Sequence, residues 1–328
     1  MSQKNYRYFR LPKRVSLGLR IAASAAMLAV LLTRFPATDL QRWPNWRGSS
    51  WLWLFASLVI TAAAFGLASI RWLEVCRVLG KPQNFRDVFS HFLAGQFVGN
   101  FLPTTVGGDI LRVSRLGSQI SDHSTAFASV VIERLTGWVV LPLITLLTLV
   151  FNPELVSTRG GQIALALAVG TLIVLSFTIY LAEHPRFGGR LRGENRVTAS
   201  LAAVHRGLNA YRRVPREMLR LLTVAVAFQL CLVGAVICIA KAIDVGLAPA
   251  VWLAFIPMVF VAQVLPVAIG GIGVREAALV LFLDSSGVSS GHSVALGLLM
   301  YAVTLVASLT GVPSFVFGGR HLDTEDRA

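Results

Sequence analysis

Two arginines, Arg112 and Arg275, close two copies of one sequence frame: Leu-Pro, three residues, Gly-Gly, three residues, Arg. The first copy runs from Leu102 to Arg112 and the second from Leu265 to Arg275, one in each half of the 328-residue chain. A polar amide stands two residues ahead of each copy, Asn100 in the first and Gln263 in the second. Guanidinium groups offer bidentate donors to a phosphate. The Gly107-Gly108 and Gly270-Gly271 pairs would each open a half-helix, whose free amides and positive dipole end attract anions. The chemistry this set of residues can do is therefore the holding of an anion. Thr104, Thr105, Asn100 and Gln263 can line a polar groove or satisfy backbone groups freed by the break, and Asp109 is placed to cap the half-helix opened at Gly107-Gly108.

A second candidate is Glu133-Arg134, which follows Val130, Val131 and Ile132 inside an apolar run beginning near Ser124. At 1.5 Å per residue, Glu133 lies roughly 13 Å into that run, close to the middle of a hydrocarbon core about 30 Å thick. A charge at such depth is expensive and by default marks a functional site. Adjacent residues point away from each other on a helix, so the two charges are not expected to neutralise one another. Either Glu133 serves a ligand, or it ties down Arg112 or Arg275 as a structural ion pair. Glu276 beside Arg275 repeats the adjacent-charge pattern. Arg115, one turn after Arg112, reads as an anchor at the membrane surface, and so does Arg71 beside Trp72.

The elements that position these residues follow from the surroundings of the two frames. Pro103 and Pro266 lack an amide donor and break a helix, yet both stand in apolar sequence. Irregular backbone at membrane depth is tolerated only where protein or a water-filled cavity covers it. Corresponding breaks in two halves are a pointer to a transporter's binding site. Residues 88–115 and 250–284 are accordingly expected to form re-entrant hairpins. Full spans are expected at 18–33, 51–70, 124–151, 162–182, 221–240 and 293–316. The fold class is thus all-α and polytopic, with about six full transmembrane helices plus two broken-helix hairpins.

Composition agrees: 55% of residues are hydrophobic and 14% charged, against about a quarter charged in an ordinary soluble domain. The net charge of +14 comes in blocks beside apolar runs, which fits the positive-inside rule and excludes a nucleic-acid partner. The N-terminal block (Lys4, Arg7, Arg10, Lys13, Arg14) and the nine arginines within 183–220 assign those segments and both termini to the cytoplasm. Trp43, Trp46, Trp51 and Trp53 read as an external aromatic belt. Within 183–220, Val197, Leu201, Val204, Leu208 and Tyr211 recur at helical spacing and predict a helix on the membrane surface. One membrane domain results, with a first half over about 15–182 and a second over about 221–316. Three spans separate the hairpins, so they are expected to dip from opposite faces as an inverted repeat. The cysteines, Cys76, Cys231 and Cys238, have neither metal nor disulfide spacing.

Signatures of catalysis are poor. Ser290-Gly291-His292 matches one block of the lipid-phosphatase motif without its companions, and Gly271-x-Gly273 is not a dinucleotide loop because Glu276 stands where a small residue belongs. No cofactor, metal site or enzymatic activity is expected.

These residues resemble the lysylphosphatidylglycerol synthase transmembrane-region family, also called the flippase-like domain family. The resemblance is carried by Gly99-Asn100-Phe101-Leu102-Pro103 running into Gly107-Gly108-Asp109 and Arg112, by Ser129 to Arg134, and by Leu265-Pro266 running into Gly270-Gly271 and Arg275-Glu276. Arg71-Trp72 also fits. It implies a protein of the bacterial inner membrane that moves a phospholipid between leaflets. Anionic or aminoacylated phospholipids are the implied substrates, with isoprenoid-linked lipids or glycolipids as alternatives, and a biosynthetic enzyme as a partner. Full-length synthases carry a soluble aminoacyl-transferase domain after the membrane part; here about ten polar residues follow the last span, so lysyl transfer is not expected. A membrane-embedded transferase relying on Glu133, Asp109 or Glu276, and a non-catalytic scaffold acting through 183–220, are the competing readings.

Overall fold

A computed structural model describes residues 48–101, 107–183, 196–212, 214–264, 271 and 273–317. The expected span 18–33, the tryptophans Trp43 and Trp46, and the motif residues Pro103, Thr104, Thr105, Pro266 and Gly270 lie outside the described residues. All regular elements among the described residues are helical. In chain order they are α1 (Gly48–Val78), α2 (Phe85–Phe101), α3 (Gly107–Gln119), α4 (His123–Phe151), α5 (Pro153–Val156), α6 (Arg159–Glu183), α7 (Arg196–Arg212), α8 (Pro215–Ala242), α9 (Pro249–Ala262), α10 (Val274–Leu283), α11 (Ser290–Ser308) and α12 (Val312–Phe317).

Long apolar runs without internal breaks form helices because only a helix satisfies every backbone group within one segment in lipid. Among the described residues, five stretches are long and apolar enough to cross a membrane: α1, α4, α6 as far as Tyr180, α8, and α11 continuing through a 3-10 turn to Val316. They match five of the six expected spans, and the chain is an all-α polytopic membrane protein. Their lipid-facing sides show as exposed apolar residues such as Leu147 and Val150 on α4 and Ile173 and Phe177 on α6. α1 and α8 form the most extensive helix pair. At one end of it Lys241 Nζ lies 4.5 Å from the centroid of the Trp53 ring.

Each motif copy falls between two short helices that pack on one another, α2 with α3 and α9 with α10. Two apolar cores accompany them. Phe65, Trp72, Phe92, Leu93, Leu116 and Val130 enclose the first pair. Trp252, Phe255, Leu279, Phe282, Val236 and Leu296 enclose the second, with the Phe255 and Phe282 rings stacked at 5.6 Å. α4 touches both pairs as well as α6, α7 and α8, and it is the central helix of the fold.

The Gly-Gly of the first copy does more than punctuate a turn. Gly107 and Gly108 are helical, and Gly108 faces Gly95 and Gly99 on α2. A Cβ on Gly108 would stand 2.2 Å from the Gly95 carbonyl oxygen, so the helices meet through their backbones. In the second copy the requirement is conformational: Gly271 and Gly273 have φ of 75° and 89°, a region that side chains disfavour.

The helix expected within 183–220 is α7, but it rests on protein. Ala203 and Val204 pack against Ala128 and Val131 of α4, and Tyr211 is enclosed by Val75, Ile132 and Leu221. Of Leu201, Val204, Leu208 and Tyr211 in the expected apolar stripe, only Leu201 is largely exposed. Three helices supply more apolar surface than the headgroup boundary, so the stripe turns inward.

Gly108→Ala is expected to lower stability by about 1–3 kcal/mol, the cost of overpacking a close contact. Gly170→Ala on α6, where nothing lies within 4 Å, should be neutral or slightly stabilising; thermal unfolding in one detergent compares the two. Asp122 caps α4 by accepting from Thr125 Oγ1 at 2.6 Å and Thr125 N at 3.0 Å. The Thr125 side-chain bond, then the backbone bond, holds the Asp122 carboxyl below its ordinary value of 3.8. A lowered folded value means that the stabilisation is present above that ordinary value and is lost as pH falls through the lowered one. Asp122→Ala should therefore cost about 1 kcal/mol at pH 7, and the gap from wild type should close in strong acid.

Candidate functional site

Glu133 lies one-third of the way along α4, among residues buried by α1, α3 and α7. It is 2% exposed, and a bare carboxylate there would be prohibitive. Two guanidinium groups compensate it: Arg71 of α1 pairs with Oε1, and Arg112 Nη2 of α3 donates to Oε2 at 3.2 Å. Gly137, one turn further along α4, leaves room for Arg71, since a Cβ there would stand 3.1 Å from Arg71 Nη1. Arg71 also lies over the Phe228 ring.

Arg112 is sandwiched by aromatic rings, 4.1 Å from the centroid of Trp72 and 5.0 Å from that of Phe92. Such faces attract a desolvated cation. Trp72 is itself oriented by a 2.9 Å bond from Nε1 to Ser129 Oγ. From Arg112 the network continues outward. Asp109 Oδ1 accepts from Arg112 Nη1 at 3.3 Å, and Arg134 meets Asp109 with Nη2 on Oδ1 at 2.9 Å and Nε on Oδ2 at 2.8 Å. The fork of Arg134 is 44% exposed. Buried Glu133 and half-exposed Arg134 thus use their opposite directions on α4 to hold the two ends of one charge chain.

This chain holds three guanidinium groups (Arg71, Arg112, Arg134) and two carboxylates (Glu133, Asp109). Three donor atoms in it are buried without a partner: Arg71 Nε, Arg71 Nη1 and Arg112 Nε. Buried donors are nearly always satisfied in proteins. A network with one excess positive charge and idle N–H groups suits an anionic ligand.

The second copy solves its charge problem locally. Arg275 Nε and Nη2 donate to Glu276 Oε1 at 3.2 and 2.7 Å, and Glu276 Oε2 accepts from Gly273 N at 2.6 Å. Arg275 lies over the Tyr301 ring at 5.6 Å, and Tyr301 Oη donates to the Asn100 carbonyl at 3.4 Å. The two motif copies therefore meet through one tyrosine. The Asn100 amide nitrogen is buried without a partner, and Gln263 sits at the end of α9 with its Cβ against Gly271.

Four expectations need correction. Arg71 and Trp72 are not interfacial anchors: α1 continues seven residues past Arg71, and the Glu133 carboxylate makes burial of its charge tolerable. Arg115 is not a free-standing anchor either, since its Nη1 and Nη2 donate to the carbonyls of Ser314 and Phe315 at 2.8 and 3.0 Å, tying α3 to α12. Asp109 does not cap α3. It lies inside the first turn and serves Arg134 and Arg112. Of the two arginines expected to serve Glu133, Arg112 does so, whereas the adjacent charges Arg275 and Glu276, not expected to neutralise one another, bond each other, with Glu276 turned back to Gly273 N. The signal that would have revealed Arg71 is the apolar run continuing beyond it through Leu73, Val75 and Val78.

A polytopic helical protein with two pairs of short helices and a buried, cation-rich charge network is the class that fold and site define. The family model for the lysylphosphatidylglycerol synthase TM region matches residues 16–311, and the chain belongs to that family. A search of curated proteins found no match.

Glu133→Gln would leave buried Arg71 without a counter-charge and Arg112 with only its 3.3 Å pair to Asp109, and is expected to cost about 3–5 kcal/mol. Arg134→Gln, which breaks a half-exposed pair, should cost at most about 1 kcal/mol. Unfolding of the two variants by heat or denaturant in detergent measures the contrast, and equal losses would contradict the burial argument.

Proposed function

We propose that the protein is a lipid translocase, which carries the headgroup of an anionic phospholipid between leaflets while the acyl chains stay in the bilayer. The observation that supports this best is the incomplete neutralisation of the network around Glu133: one cation in excess, with unpartnered N–H groups on Arg71 and Arg112. A phosphate supplies the missing charge and acceptors, and arginine is the side chain whose fork fits it. Family membership supports a lipid-handling role in a membrane.

On this reading Arg134, half-exposed, releases Asp109 and meets the headgroup first. Arg112 and Arg71 receive the phosphate deeper, and Glu133 keeps the empty site from leaving Arg71 bare and Arg112 with Asp109 alone. Arg275 and Glu276 belong to the second hairpin, which dips from the opposite face and completes the path. The protein acts as a transporter, not an enzyme, in a bacterial inner membrane with both termini in the cytoplasm. Aminoacylated phospholipids fit the same site, because their added cation has Asp109 and Glu133 at hand.

Leaflet transfer in liposomes tests the proposal. Wild-type protein should expose fluorescent phosphatidylglycerol from the inner leaflet to an external quencher. Arg134→Gln, which is expected to fold, should slow transfer by about tenfold, the worth of one charge-assisted hydrogen bond. Folded wild-type protein that transfers none of the anionic or aminoacylated lipids offered would sink the proposal.

A further inference from the structure

A charged cavity distinct from the Glu133 network lies where the end of α1 and the start of α8 meet α7. It has a volume of about 920 Å³, and its lining includes Glu74, Arg77, Arg206, Asn209, Glu217 and Arg220. α1 and α8 contain 31 and 28 residues, or roughly 46 and 42 Å of helix, more than a hydrocarbon core of about 30 Å requires. Their terminal turns therefore reach the headgroup level, and the cavity opens there.

Glu74 is 3% exposed and anchors the cavity. Its Oε1 accepts from Arg77 Nη1 at 2.8 Å and pairs with Arg220 Nη2 at 3.1 Å, while Oε2 is buried with no donor. Both arginines are about half-exposed, at 46% and 57%, and Arg77 uses one of its five N–H groups on Glu74. Arg206, on α7, is exposed beside them. The wall thus combines spare guanidinium donors with one carboxylate oxygen that lacks a donor. A bare anion would satisfy the first and be repelled by the second. A phosphate ester that also carries an ammonium or hydroxyl group satisfies both, its phosphate on the arginines and its donor on Glu74 Oε2.

We infer that this cavity is a binding site for a phosphate ester bearing a neighbouring hydrogen-bond donor, either a lipid headgroup or a soluble molecule of the same chemistry. The site is separate from the network around Glu133, and its occupancy does not depend on lipid translocation.

Binding to the full-length protein in detergent tests this with two kinds of probe. Phosphoethanolamine and glycerol 3-phosphate, followed by calorimetry, represent the soluble source. Phosphatidylethanolamine and phosphatidylglycerol, followed as adducts retained in native mass spectrometry, represent the lipid source. Wild type is expected to bind at least one kind, and the double variant Arg77→Gln/Arg206→Gln, altered only at exposed side chains, to bind it at least about tenfold more weakly. Phosphocholine, which has the charge but no N–H or O–H donor, is expected to bind more weakly than phosphoethanolamine. Retention of lipids alone identifies a headgroup site, and binding of soluble esters alone a free metabolite; either outcome supports the inference. It is overturned if folded wild type binds neither, if the double variant binds as wild type does, or if the soluble esters bind and phosphocholine equals phosphoethanolamine.

Discussion

A carboxylate buried between two guanidinium groups is the constraint on which the rest of this fold depends. Moving an ion of that size from water into a medium of low dielectric costs on the order of 20 kcal/mol in the ideal case and several kcal/mol after relaxation. Glu133 is tolerable only while Arg71 and Arg112 stay within reach, and they come from different helices. The requirement therefore fixes α1, α3 and α4 in depth and in rotation together. Other features follow from it. Gly137 keeps space for Arg71, and the Trp72 and Phe92 faces shield Arg112 from lipid. Gly108 and Gly95 let α3 lie close enough to α2 for Arg112 to reach inward; a Cβ on Gly95 would stand 2.7 Å from Arg112 Cγ. Small residues at such crossings are how membrane helices approach each other when lipid gives them no hydrophobic reason to associate.

Much of this was legible in the sequence because a membrane leaves few choices. Apolar runs of the right length become spans, and five of them stand where hydropathy placed them. The paired frames were visible as an internal repeat, and each flanks a short helix pair. Glu133 announced itself by its depth. What periodicity does not carry is the partner of each charge. Arg71 looked like the end of a span because a cation usually marks one, and only the three-dimensional position of Glu133 reverses that reading. Asp109 looked like a cap because Asp favours caps, but a bidentate Arg134 fork competes for the same oxygens and wins. The amphipathic stripe of α7 was read correctly as a helix face. Whether such a face meets lipid or protein depends on what the tertiary fold places beneath it, here Ile132, Val75 and Leu221.

The two copies of one frame have diverged in how they neutralise their arginine, and the difference bears on movement. Arg112 is bound across helices, to Glu133 on α4, so displacing α3 from α4 would separate buried charges. Arg275 is bound within its own turn, to Glu276, whose other oxygen is on Gly273 N. The whole unit of α10 carries its counter-charge with it. Contact between the copies runs through Tyr301, by a ring face under Arg275 and a long 3.4 Å bond to the Asn100 carbonyl. Among the described residues, parting the second pair from the first breaks one weak hydrogen bond and one cation–π contact. Moving it past α4 breaks the 2.9 Å bond from Thr145 Oγ1 to the Ala254 carbonyl and disturbs the core around Phe255, while sliding the first pair past α4 breaks a buried ion pair. The Glu133 network is therefore the contact most costly to break, and the junction at Tyr301 between the two pairs the least costly.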